Sequence, residues 1–140
     1  MGGCLFCGIL AGREPASIVH RDSESCAFMD IFPVNPGHVL VVPTSHAAYL
    51  AELDPEAGAG LFRVGQRVAA ALRSSGPRCE GVNLLLADGE AAGQEIFHVH
   101  LHVIPRYRGD GSGFRFGGRG FSPPTRSALD QTAENLRRSF

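Results

Sequence analysis

The chain has no lysine: all 13 of its basic residues are arginine. A Walker-A phosphate loop, a Schiff-base enzyme and a pyridoxal-phosphate enzyme each need an ammonium group, so these three classes are excluded. Long apolar runs are missing too. None approaches the roughly 20 residues of a membrane helix, because Pro, Gly or a charge interrupts every candidate. Met1-Gly2-Gly3 leads straight into Cys4-Leu5-Phe6-Cys7, without the charged and apolar regions of a signal peptide. Charge is sparse at 19% while apolar residues make up 44%, which argues against intrinsic disorder. The expectation is a soluble, cytoplasmic chain whose 140 residues form a single domain, 1–140, with no membrane partner.

Charge is unevenly placed. Residues 106–140 carry Arg106, Arg108, Arg115, Arg119, Arg126, Arg137 and Arg138 against Asp110, Asp130 and Glu134. That segment is net +4 and the remainder −5. A cationic tail on an acidic body suits an anionic ligand and equally suits a solvated extension. Phe114 and Phe116, interleaved there, are weak support for nucleic acid; with recognition motifs missing, no nucleic-acid partner is expected. The glycines of 109–120 read as a loop or lid, and 109–140 as an extension of the domain.

Punctuation divides the rest. Ile18-Val19-His20 reads as a short strand. Ser25 to Ile31 reads as a second, with Cys26, Phe28 and Asp30 on one face, and Val39-Leu40-Val41-Val42 as a central strand ended by Pro43. Asp54-Pro55 starts a helix with Leu61, Val64, Val68 and Leu72 at helical spacing, stopped by Gly76-Pro77. Val82 to Leu86 and Ile96 to Ile104 read as two more strands around a glycine-bearing turn. A last helix over 127–138 is capped by Thr125 or Ser127. The class is α+β: an antiparallel sheet of about five strands with one long helix and a C-terminal helix.

The chemistry concentrates in His98-Val99-His100-Leu101-His102-Val103-Ile104. Alternation along a strand puts three imidazoles on one face, roughly 6–7 Å apart at about 3.3 Å per residue, with Val99, Leu101 and Val103 on the other. Such a face is no ordinary core. Two chemistries compete for it: His-x-His ligation of a catalytic zinc, and a neutral imidazole attacking phosphorus. The preceding Asp88-Gly89-Glu90-Ala91-Ala92-Gly93-Gln94 favours the second, since backbone N–H groups and a side-chain amide suit phosphate oxygens. Cys4-x-x-Cys7 reads as a redox pair, two zinc ligands or two buried thiols; a thioredoxin-type pair needs a preceding strand, for which three residues leave no room. Cys26 and Cys79 read as isolated reduced residues, His20 as a surface residue and His38 as structural.

Gly93-Gln94 followed by His98 to Arg106 resembles the histidine triad family of nucleotide hydrolases and transferases. Cys4-Leu5-Phe6-Cys7-Gly8-Ile9, Ala27-Phe28-Met29-Asp30-Ile31, and Pro36-Gly37-His38 running into Val42-Pro43 and His46 agree with it. The similarity spans roughly residues 4–108. It implies a homodimeric antiparallel sheet binding a purine nucleotide. His100 attacks the α-phosphate, and water hydrolyses the nucleotidyl-histidine to release a nucleoside 5′-monophosphate. His102 contacts the phosphate or leaving group, and His98 completes the triad. Gly93, Gln94 and Glu95 hold phosphate oxygens, Asp30 accepts from the ribose hydroxyls, and Leu5, Phe6, Ile9, Phe28 and Ile31 wall the base. Phe6 and Ile9 equally fit a plain core. Bacterial relatives with the N-terminal CxxC imply a structural Zn²⁺ on Cys4, Cys7, His46 and His98. Two departures stand out: Ala87 where many relatives carry Asn or Gln, and Glu95 where the phosphoramidase branch often has Ser. The alternatives are a dinucleoside polyphosphate hydrolase and a nucleotide-binding adaptor with little catalysis.

Overall fold

In the computed structural model, which describes residues 3–111 and 122–140, five strands form one sheet. Phe114, Phe116 and most of the glycine-rich 109–120 segment therefore lie outside the described residues. The strands are β1 (Ile18–Arg21), β2 (Ser25–Met29), β3 (Val39–Pro43), β4 (Gly81–Leu85) and β5 (Leu101–Arg106), in the order β1-β2-β3-β5-β4. Every neighbouring pair is antiparallel. Helix α2 (Pro55–Ser75) links β3 to β4, and helix α3 (Arg126–Arg137) ends the chain. Asp54 caps α2 by accepting from Glu56 N, and Thr125 caps α3 by accepting from Ala128 N.

The two faces of the sheet do different work. Val19, Ala27, Met29, Val39, Val41 and Val103 point to one side and pack under α2 and α3, against Leu61, Val64, Val68, Leu72, Leu129 and Leu136. Cys26, Phe28, Leu40 and Val42 point to the other side and pack with Phe6. Leu40 is paired across the sheet with His102, so the histidine-bearing surface belongs to this second face.

That face is covered by a helix the sequence reading did not contain: α1 (Leu5–Leu10). Six residues are too few to hold a helix by propensity. Its anchors are tertiary: Phe6, only 3% exposed, and the cysteines at its start.

Two predicted strands are shorter than expected. The strand expected over Ile96–Ile104 begins only at Leu101. Continuing the Val41–Leu101 register sets Pro43 opposite Val99, but Pro43 has no N–H to give and its carbonyl accepts the His98 Nε2–H at 2.9 Å. The Val99 amide turns instead to Ala47 O at 2.8 Å. The strand expected over Ser25–Ile31 stops at Met29, because Asp30 Oδ1 accepts from Phe32 N at 2.8 Å and turns the chain ahead of Pro33.

Candidate functional site

The cysteines flanking the first turn of α1 face two histidines. Sγ of Cys4 lies 3.4 Å from Nδ1 of His98; Sγ of Cys7 lies 3.4 Å from Nδ1 of His46 and 3.6 Å from Nδ1 of His98. The two Nδ1 atoms are 3.2 Å apart, and all four donors lie within 4.8 Å of one another. A tetrahedral zinc has edges of about 3.3 Å between nitrogens and about 3.6 Å from nitrogen to sulfur, so the cluster has the size of a zinc coordination shell. Protonation agrees. His98 Nε2–H donates to Pro43 O at 2.9 Å, which leaves the Nδ1 lone pair aimed at the thiols. Two thiolates and two imidazoles make a closed structural set, not a catalytic one with an open position.

A second trio, Asp30, His38 and His102, also brings three potential ligand atoms together. Its protonation argues against a metal. Val34 N–H donates to His38 Nδ1 at 3.0 Å, so the single proton of neutral His38 sits on Nε2, inside the cluster. Metal there would require an imidazolate. The proton instead bridges to His102 Nδ1 at 2.9 Å, with Asp30 Oδ2 at 3.4 Å. His102 consequently carries its own proton on Nε2.

Burial holds both rings neutral. The pKa of His102 is pushed down to about 3 by burial first, then by His38 and His100. That of His38, fully buried, is also pushed down to about 3, by burial and then by His100. Asp30 moves the other way: burial raises its carboxyl, against the pull of the Phe32 amide and two imidazoles.

His100 stands between the two clusters. Its Nδ1–H donates to the carbonyl of His98 at 2.8 Å, which fixes the tautomer and leaves an unprotonated Nε2. Burial lowers its pKa, partly offset by the His98 carbonyl and by the charges of Asp30 and Glu95. The His100 and His102 rings are 5.0 Å apart between centroids. The three triad imidazoles therefore do gather on one side, but His98 is turned into the metal-type cluster and His102 into the Asp30–His38 cluster, with His100 between them.

Around them lie the other sequence-predicted residues. Phe6 meets Phe28 edge-on at 5.4 Å and His100 at 5.2 Å, both phenylalanines being buried. Ile9 packs half-buried against the same cluster, while Leu5 and Ile31 are exposed. So Phe6 is core, and its ring also lies beside His100.

The turn after β4 departs from expectation at Gln94. This residue is 3% exposed, and its side-chain amide is fully engaged: Oε1 accepts from Gly89 N at 2.7 Å, and Nε2 donates to Ala48 O and Ile96 O at 2.8 and 3.1 Å. The amide expected to hold phosphate instead staples the turn to the segment before α2. The Gly93 and Gln94 amides are likewise bonded within the turn, to Glu90 O and Gly89 O, whereas the Glu95 amide has no acceptor among the described residues. Gly89 and Gly93 both have φ of 98°, a conformation that selects glycine. Glu95 is exposed at the edge of the site, and Ala87 presents no polar group.

His38, read from the sequence as structural, is fully buried and also bonds a triad residue, His102, a contact the sequence reading did not include. The signal was parity: 38, 40 and 42 alternate onto one face of β3, and that is the face Leu40 shares with His102.

Comparison with known proteins agrees with this arrangement. Residues 11–109 match the HIT domain family. An uncharacterized HIT-like protein of Mycobacterium tuberculosis is 42% identical over 107 residues, covering 76% of this chain and 74% of that protein. The crystal structure of a Zn-bound histidine triad family protein from Mycobacterium smegmatis superposes with a TM-score of 0.85 at 39% identity, covering 99% of this chain and 93% of that one. A hypothetical histidine triad nucleotide-binding protein from Sulfolobus tokodaii superposes with a TM-score of 0.84 at 29% identity, covering 97% and 91%. With the family match running from residue 11 to 109, through the whole triad and the Asp30–His38–His102 cluster, this chain belongs to the histidine triad family.

Proposed function

We propose that the protein is a nucleotide hydrolase that releases a nucleoside 5′-monophosphate through a nucleotidyl-histidine intermediate. The observation that carries this reading is the tautomer of His100. A ring whose Nδ1–H is committed to the His98 carbonyl offers Nε2 as a nucleophile, and burial keeps it neutral near pH 7. Attack forms an Nε2–P bond and breaks the bond from phosphorus to the leaving group. The cationic imidazole that results is stabilised by the His98 carbonyl and by the Asp30 and Glu95 carboxylates. His102 donates its Nε2–H to a phosphate oxygen or the leaving group, held in that tautomer by His38. Asp30 receives the ribose hydroxyls; Phe6, Phe28, Ile9, Leu5 and Ile31 line the base; and Gly89 and Gly93 let the chain turn closely around the phosphate. Water then cleaves the Nε2–P bond.

Cys4, Cys7, His46 and His98 hold a structural Zn²⁺; when bound, it cross-links four side chains and supplies no Lewis acid to the substrate. The M. smegmatis relative, crystallised with Zn bound, supports this. The four cysteines form no disulfide, which suits a reducing compartment and supports a cytoplasmic location; among the described residues no helix is long and apolar enough to cross a membrane. The outer edge of β4 supports homodimerisation.

The test incubates the protein with an adenosine phosphoramidate and, in parallel, a diadenosine polyphosphate, and follows AMP. Release that is lost in His100→Ala, with the metal content of the variant unchanged, is expected; the faster substrate identifies the leaving-group class. Ala87 supports a second reading, a purine-nucleotide-binding adaptor, because it offers no amide to fix the phosphates. That reading predicts AMP binding with turnover equal to that of the His100→Ala variant.

A further inference from the structure

Two elements of the nucleotide site are also elements of the metal-type cluster. The first is α1. It brings Cys4 and Cys7 to the cluster, and between them it places Phe6, whose ring stands edge-on to His98 at 5.8 Å and to His100 at 5.2 Å. Apart from Phe6 and Gly8 none of its residues is buried, and its C-terminal end is tied to the sheet by an exposed Arg21 guanidinium on Leu10 O at 2.8 Å. The second is His98. Its Nδ1 faces the cysteines while its backbone carbonyl holds the Nδ1–H of His100. One helix and one histidine therefore serve both sites.

We propose that the Cys4–Cys7–His46–His98 cluster is a positioning device for the nucleotide site, so that metal and nucleotide bind cooperatively through α1 and His98. This rests on the nucleotide reading above. Four ligand bonds would fix the orientation of α1 and the ring of His98; a six-residue helix released from them retains Phe6, the half-buried Ile9 and Leu10 and one exposed side-chain hydrogen bond to the sheet. The base wall carried by Phe6, Leu5 and Ile9 then has to be ordered by the nucleotide itself, at a cost in affinity. Linkage makes the effect reciprocal: nucleotide that orders α1 must tighten metal binding by the same factor, and the added ligand-bond stability is expected to slow metal loss. Phe6 and His98 are positioning residues in this scheme, since they act through the helix and through His100.

The experiment uses the zinc-loaded full chain. AMP is titrated calorimetrically before and after chelation, zinc transfer to a chromogenic chelator is timed with and without AMP, and imidazole ¹⁵N shifts are recorded for both forms without nucleotide. Expected are about a 10-fold loss of AMP affinity on chelation, slower zinc transfer in the presence of AMP, and loss of the fixed Nδ1–H signal of His100 in the stripped protein. Phe6→Leu should keep its zinc and shrink both linked effects. Equal AMP affinity in the two forms together with equal zinc transfer overturns the coupling and leaves the nucleotide reading standing. AMP binding to neither form overturns the nucleotide reading, and a His100 signal unchanged by chelation then overturns the positioning role as well. Should circular dichroism show that the stripped chain unfolds, the zinc-transfer rates of the folded, loaded protein decide alone.

Discussion

Four imidazoles in this site differ chiefly in which nitrogen carries the proton; a backbone group decides it for three of them, and the His38 ring decides it for His102. Pro43 O takes the Nε2–H of His98, the His98 carbonyl takes the Nδ1–H of His100, and the Val34 amide occupies Nδ1 of His38, whose own proton goes to His102. The same burial that keeps these rings neutral has a consequence for stability. His38 and His102 titrate near 6.5 when unfolded and at about 3 when folded. Between those values the unfolded chain binds protons the folded one does not, so stability present above pH 6.5 is lost progressively as pH falls toward 3. Asp30, raised by burial, works in the opposite sense at the acid end, because protonation relieves its desolvation. The urea midpoint should therefore fall from pH 7 to pH 4.5, and less steeply in His102→Asn. Metal ligands are common to both proteins and cancel in the difference. Identical slopes would remove the buried-neutral account of this pair.

At the level of elements, the loop between β4 and β5 depends on Gln94 more than on its glycines. Three hydrogen bonds from one buried amide join Gly89, Ala48 and Ile96. Asp88 adds a fourth tie, accepting from Leu50 N at 2.9 Å. Gln94→Ala leaves a buried amide and two carbonyls without partners, which costs about 1–3 kcal/mol. Hydrogen exchange should show faster exchange across 88–95, with the metal cluster unaffected. Protection equal to wild type would mean the turn is held by its own 3₁₀ bonds. This residue also shows where the sequence stops being legible. Period-2 and period-3.6 patterns placed all five strands, α2 and α3, because those elements bury one face each. The CxxC and the triad spacing located Cys4, Cys7, His98 and His102, and His46 came through the family resemblance, whereas the grouping of Asp30 and His38 with His102 was not legible. Three things carried no local signal: α1, held by its ligands and Phe6; the early end of the β5 ladder, set by Pro43 on another strand; and the choice of Gln94 between phosphate and backbone, which depends on Ala48, 46 residues away.

Over the whole molecule, the sheet has two edges that are finished differently. The β1 edge is covered: α3 packs along it, and Arg137 donates to Ile18 O. The β4 edge is paired only on its β5 side, and every residue of β4 is at least partly exposed. Beside it the surface is apolar. Leu84 is 38% exposed and reaches over Gly65 of α2, where a Cβ would meet its Cδ2 at 3.4 Å, and Phe62, 55% exposed, lies three residues before Gly65 on the same helix. An open strand flanked by exposed apolar side chains is an association surface. Its self-complementary solution is antiparallel pairing of β4 with β4 of a second copy across a two-fold axis. Sedimentation should therefore show a dimer at micromolar concentration. Asn83→Pro, which removes a backbone donor in the middle of β4, combined with Phe62→Glu, should shift it to monomer. The His100 site lies on the opposite side of the sheet from α2, so the monomer should keep its zinc and its nucleotide affinity if each chain builds a complete pocket. A monomeric wild type would remove the dimer, and a monomeric variant with intact zinc but weakened AMP binding would mean that the partner chain completes the pocket.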